Sequence, residues 1–258
     1  MIQSVQNAKV KLLRAMRSGR ERDWVLLEGA RVLADALSAD IKPRWVLFDP
    51  GAESSLVLET LQLARDAGVE CLPCDSKLMA ADGDLVSAAQ ILGCVARPQT
   101  DPDQLFADAA AANGLIVVSA GVQDPGNAGA LVRCAAGLGA FGILFLKGGV
   151  SPWHPRAIRG ASGTSFRLPV SDGLDVNQFV ELCRKHAVQL WATAADGDDM
   201  DQVQRRQSVA LVLGEEGGGL PKRLQMECDR SIGIPLQRDV ESLNVATAAA
   251  LLIHALAL

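Results

Sequence analysis

The 258-residue sequence predicts an α/β fold in two domains, a smaller one over residues 1–100 and a larger one over 101–258 built on a mostly parallel sheet. Short runs rich in Val, Ile and Leu alternate with segments of helical periodicity along the whole chain. The polar stretch from Arg97 to Asp103 carries two prolines, separates two such patterns and reads as a linker. A chain of this length with 49% hydrophobic residues can bury two cores, because domains typically span roughly 100 to 150 residues.

In the first domain, Ala8 to Met16 predicts a short basic helix, followed by a strand at Trp24 to Leu27 and a helix from Ala30 to Leu37. A strand at Arg44 to Phe48, a helix over Ser55 to Ala67 and an apolar segment at Ile91 to Val95 continue the alternation. In the second, Leu115 to Ser119 is a continuous run suited to a buried parallel strand, with a helix from Asn127 to Leu138 after it. Further strands are predicted at Ile143 to Leu146, Gln189 to Ala192, Val209 to Leu213 and Ser231 to Ile234. Helices are predicted near 175–186, 220–226 and 244–257.

Composition narrows the function. No apolar run approaches the roughly 20 residues of a bilayer span, and the N-terminus lacks the apolar core and cleavage site of a signal peptide, so a cytoplasmic protein is expected. A net charge of -5 argues against indiscriminate coating of nucleic acid. Residues 1–31 nevertheless hold seven Lys and Arg against three acids, a surplus of +4 that leaves -9 elsewhere and could contact phosphate or be a solvated helix face. Tyrosine is absent and aromatics are 4%, which suits shape recognition of folded RNA better than base stacking on single strands. Six cysteines are scattered, and the Cys71-Leu-Pro-Cys74 pair lacks the partners of a zinc site; no metal is expected.

Several segments could carry chemistry. Gly137-Leu-Gly139-Ala-Phe-Gly142 matches G-x-G-x-x-G but leads from helix to strand, the reverse of a dinucleotide fingerprint, so it reads as a helix end and turn. Asn127 sits at a helix start where it could serve as the N-cap, with Arg133 six residues on, either snorkelling or facing a ligand. Gly214-Glu215-Glu216-Gly-Gly-Gly219 follows a strand directly; its glycines permit close backbone approach, and its carboxylates suit a cationic or hydroxyl-bearing partner rather than phosphate. Ser242 and Asn244 precede an alanine-rich helix that either could cap.

Taken together, DPGNAGALVRCA (124–135), LGEEGGGLP (213–221) and IPLQRDVESLNVATAAALL (234–252) resemble the three ordered motifs of the SpoU or TrmH family within the SPOUT class of RNA 2'-O-ribose methyltransferases, over residues 113–258. The N-terminal segment, with its basic helix followed by Trp24-Val-Leu-Leu-Glu28-Gly29 and Arg31, is similar to the L30e-like substrate-binding domain joined to such enzymes. Two stretches depart from the family pattern: Ala89-Gln90-Ile91 stands where a Pro-Gln-Gly motif is common, and Ser151-Pro-Trp153-His154-Pro155 where Asp-Pro-Tyr/Phe-Asn-Pro is common. Trp153 could stack on a base or pack on its own domain.

The resemblance implies a C-terminal SPOUT domain with a deep trefoil knot, S-adenosylmethionine as cofactor, a homodimer with a shared active site, and structured RNA as substrate, rRNA ahead of tRNA. It further implies that backbone at Gly214, Ile234 and Leu243 holds the cofactor, and that Asn127, Arg133, Glu216, Ser242 and Asn244 line the reaction site. The rival class is a non-catalytic RNA-binding or ribosome-assembly protein that keeps the fold.

Overall fold

The computed structural model describes residues 1–80, 89–215, 219–238 and 240–257. In chain order the elements are α1 (Ala8–Arg17), β1 (Trp24–Glu28), α2 (Ala30–Ser38), β2 (Trp45–Phe48), α3 (Ser55–Asp66), β3 (Cys71–Pro73), α4 (Ser76–Met79), β4 (Ile91–Ala96), α5 (Pro102–Ala111), β5 (Leu115–Ser119) and α6 (Pro125–Gly137). They continue with β6 (Gly142–Leu146), α7 (Pro155–Ala161), β7 (Val170–Leu174), α8 (Val176–His186), β8 (Gln189–Asp199), β9 (Val209–Leu213), α9 (Lys222–Gln225), β10 (Arg230–Gly233) and α10 (Val245–Ala257). The chain divides into two compact units, Met1–Pro98 with Trp153–Phe166, and Gln99–Pro152 with Arg167–Leu258.

The first unit holds a four-stranded sheet in the order β1-β4-β2-β3, antiparallel except for the β2/β3 pair. Asn7 caps α1 by accepting the Lys9 amide at 2.9 Å, and the helix buries Val10, Leu13 and Met16 while Lys11 and Arg14 stay exposed. Leu13 and Met16 join Leu26, Trp45, Leu47, Leu92 and Cys94 in one cluster, so the spacing of apolar positions on α1 is what docks it on the sheet. The Cys71-Leu-Pro-Cys74 segment forms β3 and, at Cys74, a parallel bridge to Ile2. Burial pushes both thiols up, and each donates to a nearby carbonyl, Cys71 to Val69 and Cys74 to Asp75. Among the described residues no group of three or more His, Cys, Asp or Glu could hold a metal ion.

Residues 153–166, drawn from the middle of the sequence, fold with this unit. Trp153 is only 7% exposed and packs on Phe166 at 6.4 Å between ring centroids, with the Arg97 guanidinium 5.8 Å from its ring. Of its two sequence readings, packing on its own surroundings is the one realised. His154 caps α7 through Nδ1, which accepts the Arg156 amide at 3.1 Å.

The second unit is a six-stranded sheet, parallel throughout, in the order β10-β8-β9-β5-β6-β7. Its central strands are fully buried, as the continuous apolar runs require of a sheet covered on both faces. Phe106, Ile116, Val118, Leu144, Phe179, Leu190 and Val212 are among the side chains filling the space between the sheet, α5 and α8. Asp101 caps α5 and Pro102 opens it, so the second half of the predicted linker starts a helix. The chain also contains α7 and β7, where no element was predicted, because neither short segment has a clear period.

One local expectation is corrected. Asn127 is not the N-cap of α6: Asp124 is, accepting the Asn127 amide at 2.9 Å, with Pro125 occupying the first helical position. Asp124-Pro125 is the stronger signal because proline needs no hydrogen-bond partner there, and the earlier start leaves the Asn127 side chain available for another task. The glycine-rich helix end behaves as expected, with Gly139 at φ 85° in the turn after α6.

Candidate active site

The strand order changes direction between β9 and β5, and the loops leaving their C-terminal ends diverge there. In parallel α/β sheets such a crevice is where ligands bind. Three polar segments are gathered at this end of the sheet: the loop from β5 into α6, the loop after β9, and the loop from β10 into α10.

The first and third segments meet through their side chains. Asn244 accepts the amides of Ala246 at 3.0 Å and Thr247 at 3.4 Å, so it is the cap of α10, while its Nδ2 donates to Asn127 Oδ1 at 3.0 Å. One amide therefore fixes the start of a helix and orients a second amide 117 residues away. Cys134 adds a weak thiol contact to the Ala246 carbonyl at 3.8 Å; burial pushes this thiol up against the lowering pull of Arg133, so it stays protonated and packs. The Arg133 side chain is exposed and has no hydrogen bond or ion pair to another described residue. Six residues beyond Asn127, it lies about 9 Å further along α6 and about 120° round the helix.

A cleft of about 150 Å3 is lined by Thr193, Ile232, Ile234, Glu241, Ser242 and Leu243, among others. Three of the residues singled out from sequence, Ile234, Ser242 and Leu243, thus share one cavity. Gly214 is not among its lining residues. A Cβ at Gly214 would lie 2.5 Å from the Gly219 carbonyl carbon and 2.9 Å from the Leu220 nitrogen, so this glycine lets two backbone segments touch. Glu215 and Gly219 form an isolated antiparallel bridge, exchanging amide–carbonyl hydrogen bonds of 3.1 and 3.0 Å. Glu216 lies outside the described residues.

Two contributors were not legible in the sequence. β8 runs on to Asp199, and its register with β10 jumps from Ala192 to Asp198, so residues 193–197 bulge out and Thr193, Ala194 and Ala195 reach the cleft. Gly197 and Gly233 permit this, since a Cβ on the first would sit 2.6 Å from the Ile232 carbonyl carbon and on the second 2.7 Å from the Ala194 carbonyl oxygen. Gln123 ties the loop after β5 to the loop after β6 by donating to Gly121 O at 3.1 Å and Gly148 O at 2.7 Å. No sequence period announces either feature.

The donor set suits an adenosyl group. Apolar walls from Ile232, Ile234, Leu243 and Leu252 match a flat base, and the Glu241 carboxylate and Ser242 hydroxyl offer partners to sugar hydroxyls or a cation. The volume is below the roughly 300 Å3 of whole drug-sized sites, so the cleft takes part of such a ligand.

Fold and site together are those of an α/β protein with a ligand-sized cleft at the C-terminal ends of β8 and β10 in a parallel sheet. The chain belongs to the SpoU rRNA methylase family, whose model matches residues 114–254, and is therefore an RNA methyltransferase. It is 27% identical over 257 residues to the 23S rRNA (guanosine(2553)-2'-O)-methyltransferase of Bacillus subtilis, covering 98% of this chain and 97% of that one. Its fold matches an RNA 2'-O ribose methyltransferase with TM-score 0.75 and 26% identity over 98% of this chain and 96% of the other. It also matches the SpoU methyltransferase AviRb of Streptomyces viridochromogenes in complex with AdoMet, with TM-score 0.81, 24% identity and 97% of each chain covered, a likeness of fold alone.

Proposed function

We propose that this chain transfers the methyl group of S-adenosylmethionine to a ribose 2'-hydroxyl of structured RNA, ribosomal RNA ahead of transfer RNA. The observation that carries the assignment is the Asn244–Asn127 hydrogen bond of 3.0 Å, which joins the first and third motifs at the switch point. Backbone at Gly214, Ile234 and Leu243 holds the cofactor; Asn127, Arg133, Glu216, Ser242 and Asn244 line the reaction site. The cofactor supplies an already activated methyl group, so the reaction needs no metal. The protein's task is to place the 2'-hydroxyl in line and help its proton leave. Arg133 acts electrostatically, through its guanidinium, on the developing alkoxide.

The separation of Arg133 from Asn127 around α6 favours a site completed by a second copy, hence a homodimer. The exposed Leu251 on α10, 40% accessible, fits burial at that interface. Residues 1–100 form the L30e-like substrate-binding domain and residues 101–258 the methyltransferase domain, with the trefoil knot of its class. No helix among the described residues is long and apolar enough to cross a membrane, which accords with a cytoplasmic enzyme.

The test is incubation with methyl-labelled S-adenosylmethionine and ribosomal RNA from a strain lacking the gene, followed by nucleoside digestion and mass spectrometry. A 2'-O-methylnucleoside is expected; a base-methylated product, or no cofactor binding by calorimetry, refutes the proposal. Arg133→Ala should cut turnover by about 100-fold or more without shifting the melting temperature. Near-normal turnover removes Arg133 from the site.

A further inference from the structure

The segment 153–166 lies within the sequence of the methyltransferase motifs yet folds with the first unit. It holds Arg156 and Arg159 and no Asp or Glu, in a chain whose net charge is -5. Ala157, Ile158 and Ala161 of α7 are each 1% exposed or less, which fixes the rotation of this short helix. Arg156 and Arg159, three residues apart, therefore both face outward on one side.

Arg17 is used up in structural contacts, whereas the side chains of Arg156 and Arg159 remain largely exposed. Arg17 gives Nε to Glu28 Oε1 at 2.8 Å and its two terminal nitrogens to the carbonyls of Ala80 at 2.9 Å and Met79 at 2.7 Å, so it is a structural tie. Arg159 is only loosely held, 3.7 Å from Glu28 Oε2, and its side chain remains 56% exposed. The Arg156 side chain is exposed and has no hydrogen bond or ion pair to another described residue; only its backbone amide is engaged, by His154. The exposed face of α7 is purely cationic, and the carboxylate of Glu28 is already shared between Arg17 and Arg159.

We propose that Arg156 and Arg159 of α7 contact phosphates of the RNA substrate, so that part of the RNA-binding surface is encoded between the first and second methyltransferase motifs and not only in residues 1–100. Arginine is suited to this because its planar fork of donors matches phosphate oxygens and keeps its charge at all physiological pH. The proposal rests on the RNA methyltransferase reading above, and its test separates the two.

The experiment is equilibrium binding of the full chain to an unmodified 23S rRNA transcript between about 0.05 and 0.3 M salt, for wild type, Arg156→Gln, Arg156→Lys and the Arg156→Gln/Arg159→Gln double variant. Each glutamine should lower the slope of log affinity against log salt by about 0.7 to 0.9, so the ratio of wild-type to variant affinity changes by roughly three- to fivefold across this salt range. Arg156→Lys should restore the slope, and melting temperature and cofactor titration should not change for Arg156→Gln. Wild-type slopes in both glutamine variants overturn the proposal, as does a fall in melting temperature with the slope intact. If wild type itself shows no salt-dependent binding to the transcript, the RNA reading falls along with it.

Discussion

Gly214→Ala isolates what close backbone approach contributes to the site. The added methyl would sit 2.5 Å from the Gly219 carbonyl carbon, 2.6 Å from its oxygen and 2.9 Å from the Leu220 nitrogen. Carbon atoms prefer about 3.5 to 4.0 Å, and all three neighbours are backbone, so no side chain can swing aside and the chain must shift by about 1 Å. That shift strains the bridge made by the 3.1 and 3.0 Å bonds between Glu215 and Gly219. Overpacking of this kind costs about 1 to 3 kcal/mol, equivalent to about 2–4 °C in melting temperature per kcal/mol for a chain of this size. With backbone at Gly214 holding the cofactor, S-adenosylmethionine affinity falls by about tenfold for every 1.4 kcal/mol transmitted to the cofactor site. Differential scanning calorimetry and isothermal titration read the two effects. Gly219→Ala is the control: its φ of 63° is strained for alanine, but nothing lies within 4 Å of the new methyl, so it should lose only about 1 kcal/mol of stability. An alanine at 214 with wild-type melting and wild-type cofactor affinity would refute the reasoning.

Asn244 has two separable duties. Asn244→Ala should lose about 1 kcal/mol of stability with the cap, together with turnover, whereas Asn244→Asp keeps an acceptor for the Ala246 and Thr247 amides but removes the donor to Asn127, so turnover should fall with stability nearly unchanged. Full turnover in the aspartate variant would show that the Asn127 contact does not position the site. His154 gives a pH signature. Burial, reinforced by Arg156 and Arg159 and opposed by Glu28, lowers its pKa below the usual 6.5, and the neutral ring is the form that can accept the Arg156 amide. Because the folded value is depressed, the stability it contributes is complete above pH 6.5 and drains away as pH falls through the folded value. Melting temperature recorded from about pH 7.5 down to 5 should drop more for wild type than for His154→Asn, which caps without titrating; parallel curves would exclude the histidine.

Much of this molecule is local and therefore legible. The apolar runs at Leu115–Ser119 and Val209–Leu213 announced buried parallel strands, and the helices over 8–16, 30–37 and 55–67 fell within a residue or two of α1, α2 and α3, because burial on one face imposes a period that the sequence must obey. Asp124-Pro125 was equally readable as a helix start, and Asn127 was assigned the cap only because its own type also suits that position. The three polar segments at strand ends were visible as well, though not their meeting.

What the sequence determined by itself was the alternation of strand and helix, the positions of the glycine-rich loops and, through its ordered motifs, the family. Tertiary structure alone decided that Asn244 reaches back to Asn127, that residues 193–197 bulge into the cleft beside Ile234 and Leu243, and that Trp153–Phe166 leaves its sequence neighbours to fold with the first unit. The physical reason is range. Periodicity and capping are settled within a few residues of chain, whereas these three outcomes depend on which surfaces remain to be covered after distant strands have paired.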